Sequence, residues 1–103
     1  METTEMILLA LLEGRARHGY ELAKLVESES TGKLQFHVAS LYPMLYRLER
    51  KLLVEGKWVE KAGERRRRYY KLTPAGTKHL EHEVSRFERM LEGITRVLAP
   101  GES

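Results

Sequence analysis

The spacing of apolar residues changes abruptly at Leu53, and this change limits what the chain can fold into. Before it, four leucines repeat at intervals of four, three and four residues, which is the core stripe of an α-helix. These are Leu41, Leu45, Leu48 and Leu52. After it, residues 54–60 and 67–72 alternate roughly between apolar and polar types, which predicts two β-strands, with residues 61–64 as a hairpin tip. The segment therefore predicts a helix that runs directly into a β-hairpin.

Two more helices are predicted before this segment. Thr3 and Thr4 are suitable N-caps for the first, and the apolar run Met6–Leu12 follows them. Because this run is apolar on every side, we expect the first helix to contact a partner chain as well as its own core. The second helix is predicted from about residue 18 to residue 29, before a cluster of turn-forming residues.

The starts of the third and last helices both involve a proline. The third helix is predicted to begin near Ala39 or Ser40 and to end near Lys51. With Ser40 as N-cap, Pro43 falls at the third helical position, where N–H groups have no helical partner and a proline is tolerated. The last helix is predicted to begin at Thr73-Pro74, an N-cap followed by proline at the first helical position.

The order helix, helix, helix, hairpin, long helix is that of a winged helix-turn-helix followed by one C-terminal helix. We therefore predict a mainly α fold with a small two-stranded β-hairpin. Residues 1–73 are predicted to form the winged helix-turn-helix domain, and residues 74–103 a dimerisation helix and tail.

Positive charge is concentrated in the middle of the chain. Residues 33–71 carry 11 basic and 4 acidic side chains, a net charge of +7, whereas the whole chain carries only +3. Residues 1–32 have a net charge of −3 and residues 72–103 of −1. This distribution indicates a nucleic-acid footprint on one part of the fold.

The composition argues against several other classes of protein. The sequence has no cysteine, which excludes disulfides, thiolate metal sites and cysteine nucleophiles. His79 and His82 lie three residues apart but have no third ligand nearby, so we expect no metal site. With no nucleophile–base arrangement and no phosphate-binding glycine loop, we expect neither enzyme activity nor a cofactor. The longest apolar run has seven residues, too short for a bilayer, so we expect a cytoplasmic protein without membrane contact.

The outer face of the third helix is the first candidate DNA-binding surface. Opposite the leucine stripe, this face is small near its start, aromatic in the middle and basic towards its end. Small residues let a helix enter the major groove, and the later donors reach base edges or phosphates. An ordinary solvated face is the alternative. The candidate contacts here are Ser40, Tyr46, Arg47 and Arg50, with Tyr42 on the flank of the face.

The second candidate surface is a run of four consecutive arginines in the hairpin. Because alternate residues of a strand face opposite sides, we expect one pair to face DNA and the other to face solvent or the domain. Arginines on a hairpin can follow phosphates or enter the minor groove. The alternative is a winged-helix module for protein–protein interaction, with its arginines on an acidic partner. The four residues are Arg65, Arg66, Arg67 and Arg68.

The last helix carries an apolar seam that no later element covers. Its residues are spaced by four, three, four, three and four, the pattern of a coiled coil, and this predicts a homodimer. The seam consists of Leu80, Val84, Phe87, Leu91, Ile94 and Leu98, and we expect Leu8 and Leu11 of the first helix to join the interface.

Two aromatic residues of the hairpin are assigned to the core. Trp58, the only tryptophan, is expected there, with an apolar surface near the dimer seam as the alternative. Tyr70 is expected in the core because strand alternation places it with Leu72 and turns Tyr69 to the opposite face.

Three blocks of sequence together resemble the PadR family of bacterial transcriptional regulators. They are GRARHGYEL at residues 14–22, LYPMLYRLERKLLV at residues 41–54 and RRRRYYKLTPAG at residues 65–76. The single helix after them is similar to the short PadR subgroup. The resemblance implies a winged-helix dimer that usually represses promoters by binding an inverted repeat, with dimerisation through the last helix and help from the first. It also implies that Tyr20, Ser40, Tyr42 and Arg47 face duplex DNA, with the hairpin arginines on backbone or minor groove. Small members of the family often respond to a small-molecule effector, although no residue here identifies one.

The sequence departs from the family pattern at Leu52, where a glycine is usual. Glycine allows a helix to end in the left-handed conformation at little cost. We therefore expect Leu52 either to extend the third helix by a turn or to end it differently, which would change the angle between that helix and the hairpin.

Overall fold

The structure, a computed structural model, describes residues 3–99 and residue 101. Its elements in chain order are α1 (Thr3–Leu11), β1 (Arg17–His18), α2 (Gly19–Glu29), α3 (Val38–Arg50), β2 (Val54–Val59), β3 (Arg67–Leu72) and α4 (Pro74–Leu98). The predicted order of a winged helix-turn-helix followed by one long helix is confirmed. The ends of the two predicted domains, residues 1–2 and 102–103, lie outside the described residues, as does residue 100.

The sheet has three strands rather than the predicted two. β1 pairs antiparallel with β3 through Arg17 opposite Tyr70 and His18 opposite Tyr69, so the strand order is β1-β3-β2. The sequence did not indicate β1 because two residues are too few to show an alternation. We call β2, β3 and the loop of residues 60–66 between them the wing.

The core lies between α1, α2, α3, the base of the wing and the N-terminal part of α4. As predicted, Leu41, Leu45 and Leu48 of the α3 stripe are fully buried, and so is Tyr70. The other buried apolar residues of this cluster are Leu8, Leu9, Leu12, Leu22, Leu53, Val54 and Leu80. In the part of the chain that the structure describes, no helix is both long and apolar enough to cross a membrane.

The start of α3 differs from the prediction. Val38 is the first helical residue and His37, rather than Ser40, occupies the N-cap position. The helix begins earlier because the His37 carbonyl already accepts hydrogen bonds from the N–H groups of Ser40 and Leu41, at 2.9 and 3.2 Å. Pro43 therefore lies at the sixth helical position rather than the third, where it removes the bond that an N–H would donate to the Ala39 carbonyl.

The end of α3 shows how the chain manages without a glycine at residue 52. Leu52 adopts a left-handed φ of 63° and its side chain is 72% exposed. Its N–H donates to the Glu49 carbonyl, and the Leu53 N–H donates to the Leu48 carbonyl, both at 3.0 Å. These two bonds form a Schellman motif, so Leu52 ends the helix as a glycine would and does not extend it. A leucine in this conformation costs about 1 kcal/mol.

The start of α4 is fastened to this helix end. Thr73 caps α4 as predicted, with its Oγ1 accepting from the Gly76 N–H at 2.9 Å. The same hydroxyl donates to the Leu52 carbonyl at 2.7 Å, and the Thr73 N–H donates to the Leu53 carbonyl at 3.1 Å. The three bonds set the direction of α4 relative to α3 and the wing.

Candidate nucleic-acid interface

The outer face of α3 is open to solvent. Ser40, Tyr46 and Arg50 are all exposed, in the order small, aromatic, basic along the helix. Tyr46 and Arg50 line one shallow open depression together with Pro43, Arg47 and Glu49. This face can therefore enter a groove and offer a phenol and a guanidinium at its floor.

Tyr42 lies at the side of this face, as predicted. Its half-buried ring packs on the first turn of α2, so closely that a Cβ on Gly19 would lie 3.0 Å from the Tyr42 Cζ. The contact holds the start of α2 beside the start of α3. It also brings Tyr42 near Tyr20, which is exposed at the second position of α2.

Arg47 has a role in the fold that the sequence did not indicate. Its Nε lies 3.4 Å from the Oε1 of Glu5 on α1, and the Lys51 Nζ lies 3.8 Å from the other carboxylate oxygen. Glu5 is only 4% exposed, and a buried carboxylate requires cationic or hydrogen-bonding partners. Arg47 therefore serves to neutralise Glu5 while part of its side chain still reaches the α3 surface.

The hairpin arginines divide between the two faces of the sheet, as alternation predicted. Arg67 faces α2, where its Cζ lies 5.9 Å from the centre of the Tyr20 ring, and the Lys24 Nζ lies 4.7 Å from the same ring. These groups line a cavity of about 270 Å³ to which the wing loop also contributes. We call Tyr20 and the four basic residues that line this cavity the Tyr20 cluster: Tyr20, Lys24, Lys61, Arg65 and Arg67.

Arg68 points the other way and is used inside the fold. Its Nη2 donates to the Glu49 Oε2 at 2.6 Å, and the Gly56 N–H donates to the same oxygen at 3.2 Å. The Arg68 side chain is only 22% exposed, and a Cβ on Gly56 would lie 2.6 Å from its Nε. The structure thus corrects the assignment of Arg68 as a DNA contact, because its charged end joins the wing to α3.

Trp58 is also not where we predicted it. It is 55% exposed instead of buried, because β2 extends beyond the edge of the core after Val54 and Gly56. Two arginines flank the indole, with the Cζ of Arg66 at 4.8 Å and that of Arg68 at 5.8 Å from the ring.

His18 has a role in the fold that the sequence did not indicate. Its Nδ1 accepts a hydrogen bond from the Glu21 N–H at 3.2 Å and so caps α2. Burial lowers the pKa of His18, and the positive charge of Arg67 lowers it further. Both effects favour the neutral imidazole, the form that can accept this bond. No sequence pattern indicated this cap, because histidine is not among the usual N-cap residues.

The predicted dimer seam is partly exposed and partly buried. Leu91, Ile94 and Leu98 are exposed along α4, and Val84 and Phe87 are half-buried. Met90 and Val97, which we did not predict, are exposed beside them.

Three predicted interface residues belong to the protomer itself. Leu8 and Leu80 are 0% and 2% exposed, so they have no surface for a second chain, and their assignment to the interface is corrected. Leu11 is half-buried against the same core. The tight packing of α1 against its own domain explains why its apolar character does not require a partner.

Comparison with known proteins places the chain in a family. A sequence profile of the "Transcriptional regulator PadR-like family" matches residues 8–82. A PadR family transcriptional regulator from Eggerthella lenta is 26% identical with a TM-score of 0.81, covering 94% of this chain and 82% of that one. A PadR family regulator from Clostridium difficile R20291 is 24% identical with a TM-score of 0.82, covering 95% and 100%.

A third solved structure is the Bacillus subtilis PadR in complex with operator DNA. It is 19% identical with a TM-score of 0.74, covering 82% of this chain and 47% of that one. At 24% and 19% identity the C. difficile and B. subtilis structures are evidence for the fold alone. The profile match, which spans more than half of the chain, confirms the resemblance inferred from the sequence: this chain belongs to the PadR-like family of transcriptional regulators.

Proposed function

We propose that this protein binds duplex DNA sequence-specifically as a homodimer. By binding an inverted repeat it represses transcription. The observation that carries the proposal is the exposed outer face of α3, flanked by the basic wing.

The first step is groove recognition by α3. Ser40 is small enough to let the start of the helix approach the floor of the major groove, and Tyr46 and Arg50 follow on the same face. The guanidinium of Arg50 has donors that match the O6 and N7 atoms of guanine. We assign base contacts to these residues.

The second step is attachment to the phosphate backbone through the Tyr20 cluster. The cluster carries four basic side chains, and one of the two carboxylates beside it, that of Glu21, is already engaged by Arg15 and Arg17. The surface is therefore electropositive where α2 and the wing meet. Such contacts determine how the protein is positioned on the duplex and make its affinity depend on salt.

The third step is dimerisation through the exposed part of α4. Five seam residues remain available to a second chain: Val84, Phe87, Leu91, Ile94 and Leu98. A two-fold dimer presents two α3 helices in opposite directions, so its target is an inverted repeat with half-sites about 34–36 Å apart. A dimer bound over a promoter would exclude the polymerase, which is the basis for proposing repression.

The family relationship supports the same function. Bacillus subtilis PadR, which shares the fold, is bound to operator DNA in its solved complex. We propose that the protein acts in the cytoplasm, and we carry over from the resemblance that a small-molecule effector relieves repression. A compound screen on the DNA complex tests the effector.

The function is tested by selecting bound sequences from a random duplex pool. We expect enrichment of an inverted repeat, and Arg50→Ala should bind it about tenfold or more weakly because a bidentate base contact contributes about 1–3 kcal/mol. Arg96→Ala, which removes an exposed arginine on α4, is the control and should bind as the unaltered protein does.

Two outcomes of this selection would contradict the proposal. Failure to enrich any sequence would favour the protein–protein module that binds an acidic partner. Equal binding by the Arg50 variant would show that another surface contacts the bases.

A further inference from the structure

Trp58 presents a large apolar surface at an unusual place. It lies on β2 beyond the core, more than half exposed, on the sheet face that turns towards α3. More than half of the side chain remains in water, so this position buries less apolar surface than a core site would. Tryptophan and arginine are the residues most enriched at the energetic centres of binding surfaces.

The two arginines beside Trp58 are in different electrostatic states. Arg68 is paired with Glu49 at 2.6 Å, so its charge is already compensated. Among the residues that the structure describes, the acidic partner of Arg66 is Glu60, at 3.8 Å, and both of these side chains are more than half exposed. An exposed ion pair of this kind contributes little, so an incoming phosphate can replace Glu60. Arg66 stacked on the indole keeps its N–H edge free for that anion.

A chain of contacts connects this stack to the outer face of α3. Glu49 lines the same depression as Tyr46 and Arg50, and it binds both Arg68 and the Gly56 N–H. Arg68 in turn lies under the Trp58 ring. Trp58 is therefore linked through Arg68 to a residue of the helix assigned to groove recognition.

Resting on the proposed function, we infer that Trp58 and Arg66 form a second DNA-contacting surface that binds the sugar–phosphate backbone of the duplex beside the groove entered by α3. Arg66 supplies the charge, Trp58 supplies a rigid apolar contact to the sugars, and the surface is separate from the Tyr20 cluster on the opposite sheet face. Arg68 and Glu49 act as positioning residues, because they fix the wing to α3 without touching the DNA.

Fluorescence provides a direct test, because Trp58 is the only tryptophan of the chain. Titration with the selected duplex should quench or shift Trp58 emission and protect it from iodide, at the same midpoint as the gel shift. We expect Trp58→Ala to bind about tenfold more weakly and Trp58→Phe only a few-fold, since phenylalanine keeps a ring under Arg66. Arg66→Ala should bind as weakly as Trp58→Ala.

The control is Lys57→Ala, which removes a charge from the neighbouring residue of β2 on the other sheet face and should leave both the midpoint and the emission change intact. Circular dichroism should show all four variants folded, because these side chains lie outside the core. Unchanged emission and full-strength binding of Trp58→Ala, while the unaltered protein shifts the duplex, would overturn this inference alone. Absence of any duplex binding would overturn the proposed function as well. Stronger quenching by a single strand of the same sequence would assign the surface to unpaired bases instead.

Discussion

The carbonyl oxygen of Leu53 occupies the space that any side chain at Gly76 would need. A Cβ built on Gly76 would lie 1.9 Å from this oxygen. The close approach brings the first turn of α4 against the end of α3, where the Thr73 hydroxyl and N–H also bind the chain. The contact is between backbones, so no side-chain rotation can relieve the clash.

Gly76→Ala should therefore destabilise the protein by about 3 kcal/mol or more, since the backbone must move to admit a methyl group. Thermal unfolding measures the effect. Gly93→Ala in the same helix is the matched control, because no atom lies within 4 Å of its Cβ position, and it should stabilise by about 1 kcal/mol. Equal behaviour of the two variants would mean that α4 is not docked as described.

Leu52→Gly should stabilise the protein by up to about 1 kcal/mol, because glycine adopts the left-handed conformation without strain. Part of the gain is lost to the greater freedom of glycine in the unfolded chain. Denaturant unfolding measures the difference. Leu52→Ala keeps the strain and should show no such gain. A gain of the same size in Leu52→Ala would show that the effect comes from removing the exposed leucine side chain instead.

The stability of the protein should fall as the pH is lowered below 6.5, the ordinary pKa of histidine, because of His18. Its pKa is lowered in the folded state, so the unfolded chain takes up the proton first, and stability is lost down to the folded pKa. Asparagine can still cap α2 but does not titrate. His18→Asn should therefore keep the stability at neutral pH and flatten this part of the profile, as followed by unfolding midpoints between pH 5 and 7. An equally steep profile in the variant would assign the effect to another group.

Replacing Arg68 by alanine should lower the free energy of unfolding, whereas replacing Arg66 by alanine should not. Arg68→Ala should cost about 2 kcal/mol of unfolding free energy, because it removes a charge-assisted hydrogen bond to Glu49. A double-mutant cycle with Glu49→Gln isolates the pair. Arg66→Ala should leave the unfolding free energy nearly unchanged. A null coupling between residues 49 and 68 would contradict the positioning role.

Leu91→Glu should dissociate the dimer, because it places a charge in the middle of the exposed apolar seam. Light scattering at tens of micromolar, an order-of-magnitude choice for an ordinary interface, measures the mass. Ser85→Glu is the control, since it adds the same charge off the seam, next to Arg89. An unaltered protein that is already monomeric at this concentration would contradict the dimer itself.

Local sequence patterns predicted the elements and most of the core. The leucine period of α3, the alternation that buries Tyr70 and the Thr73-Pro74 start of α4 are confirmed because each depends on neighbours a few residues away. The Schellman turn at Leu52 lay at the limit of this reasoning. The sequence showed that a glycine was missing there, but only the structure showed that leucine adopts the same conformation.

By itself the sequence determined the order of the four helices and the two hairpin strands, the division of the hairpin arginines between two faces, and the basic character of the middle of the chain. Only the tertiary structure decided which of these charged side chains are paired within the fold and which are available to a partner. Arg47 reaches Glu5, 42 residues away, and Arg68 reaches Glu49, 19 residues away, and no periodicity encodes such pairs. It also decided that Trp58 is exposed, because alternation specifies the face of a strand but not the point along it at which the core ends.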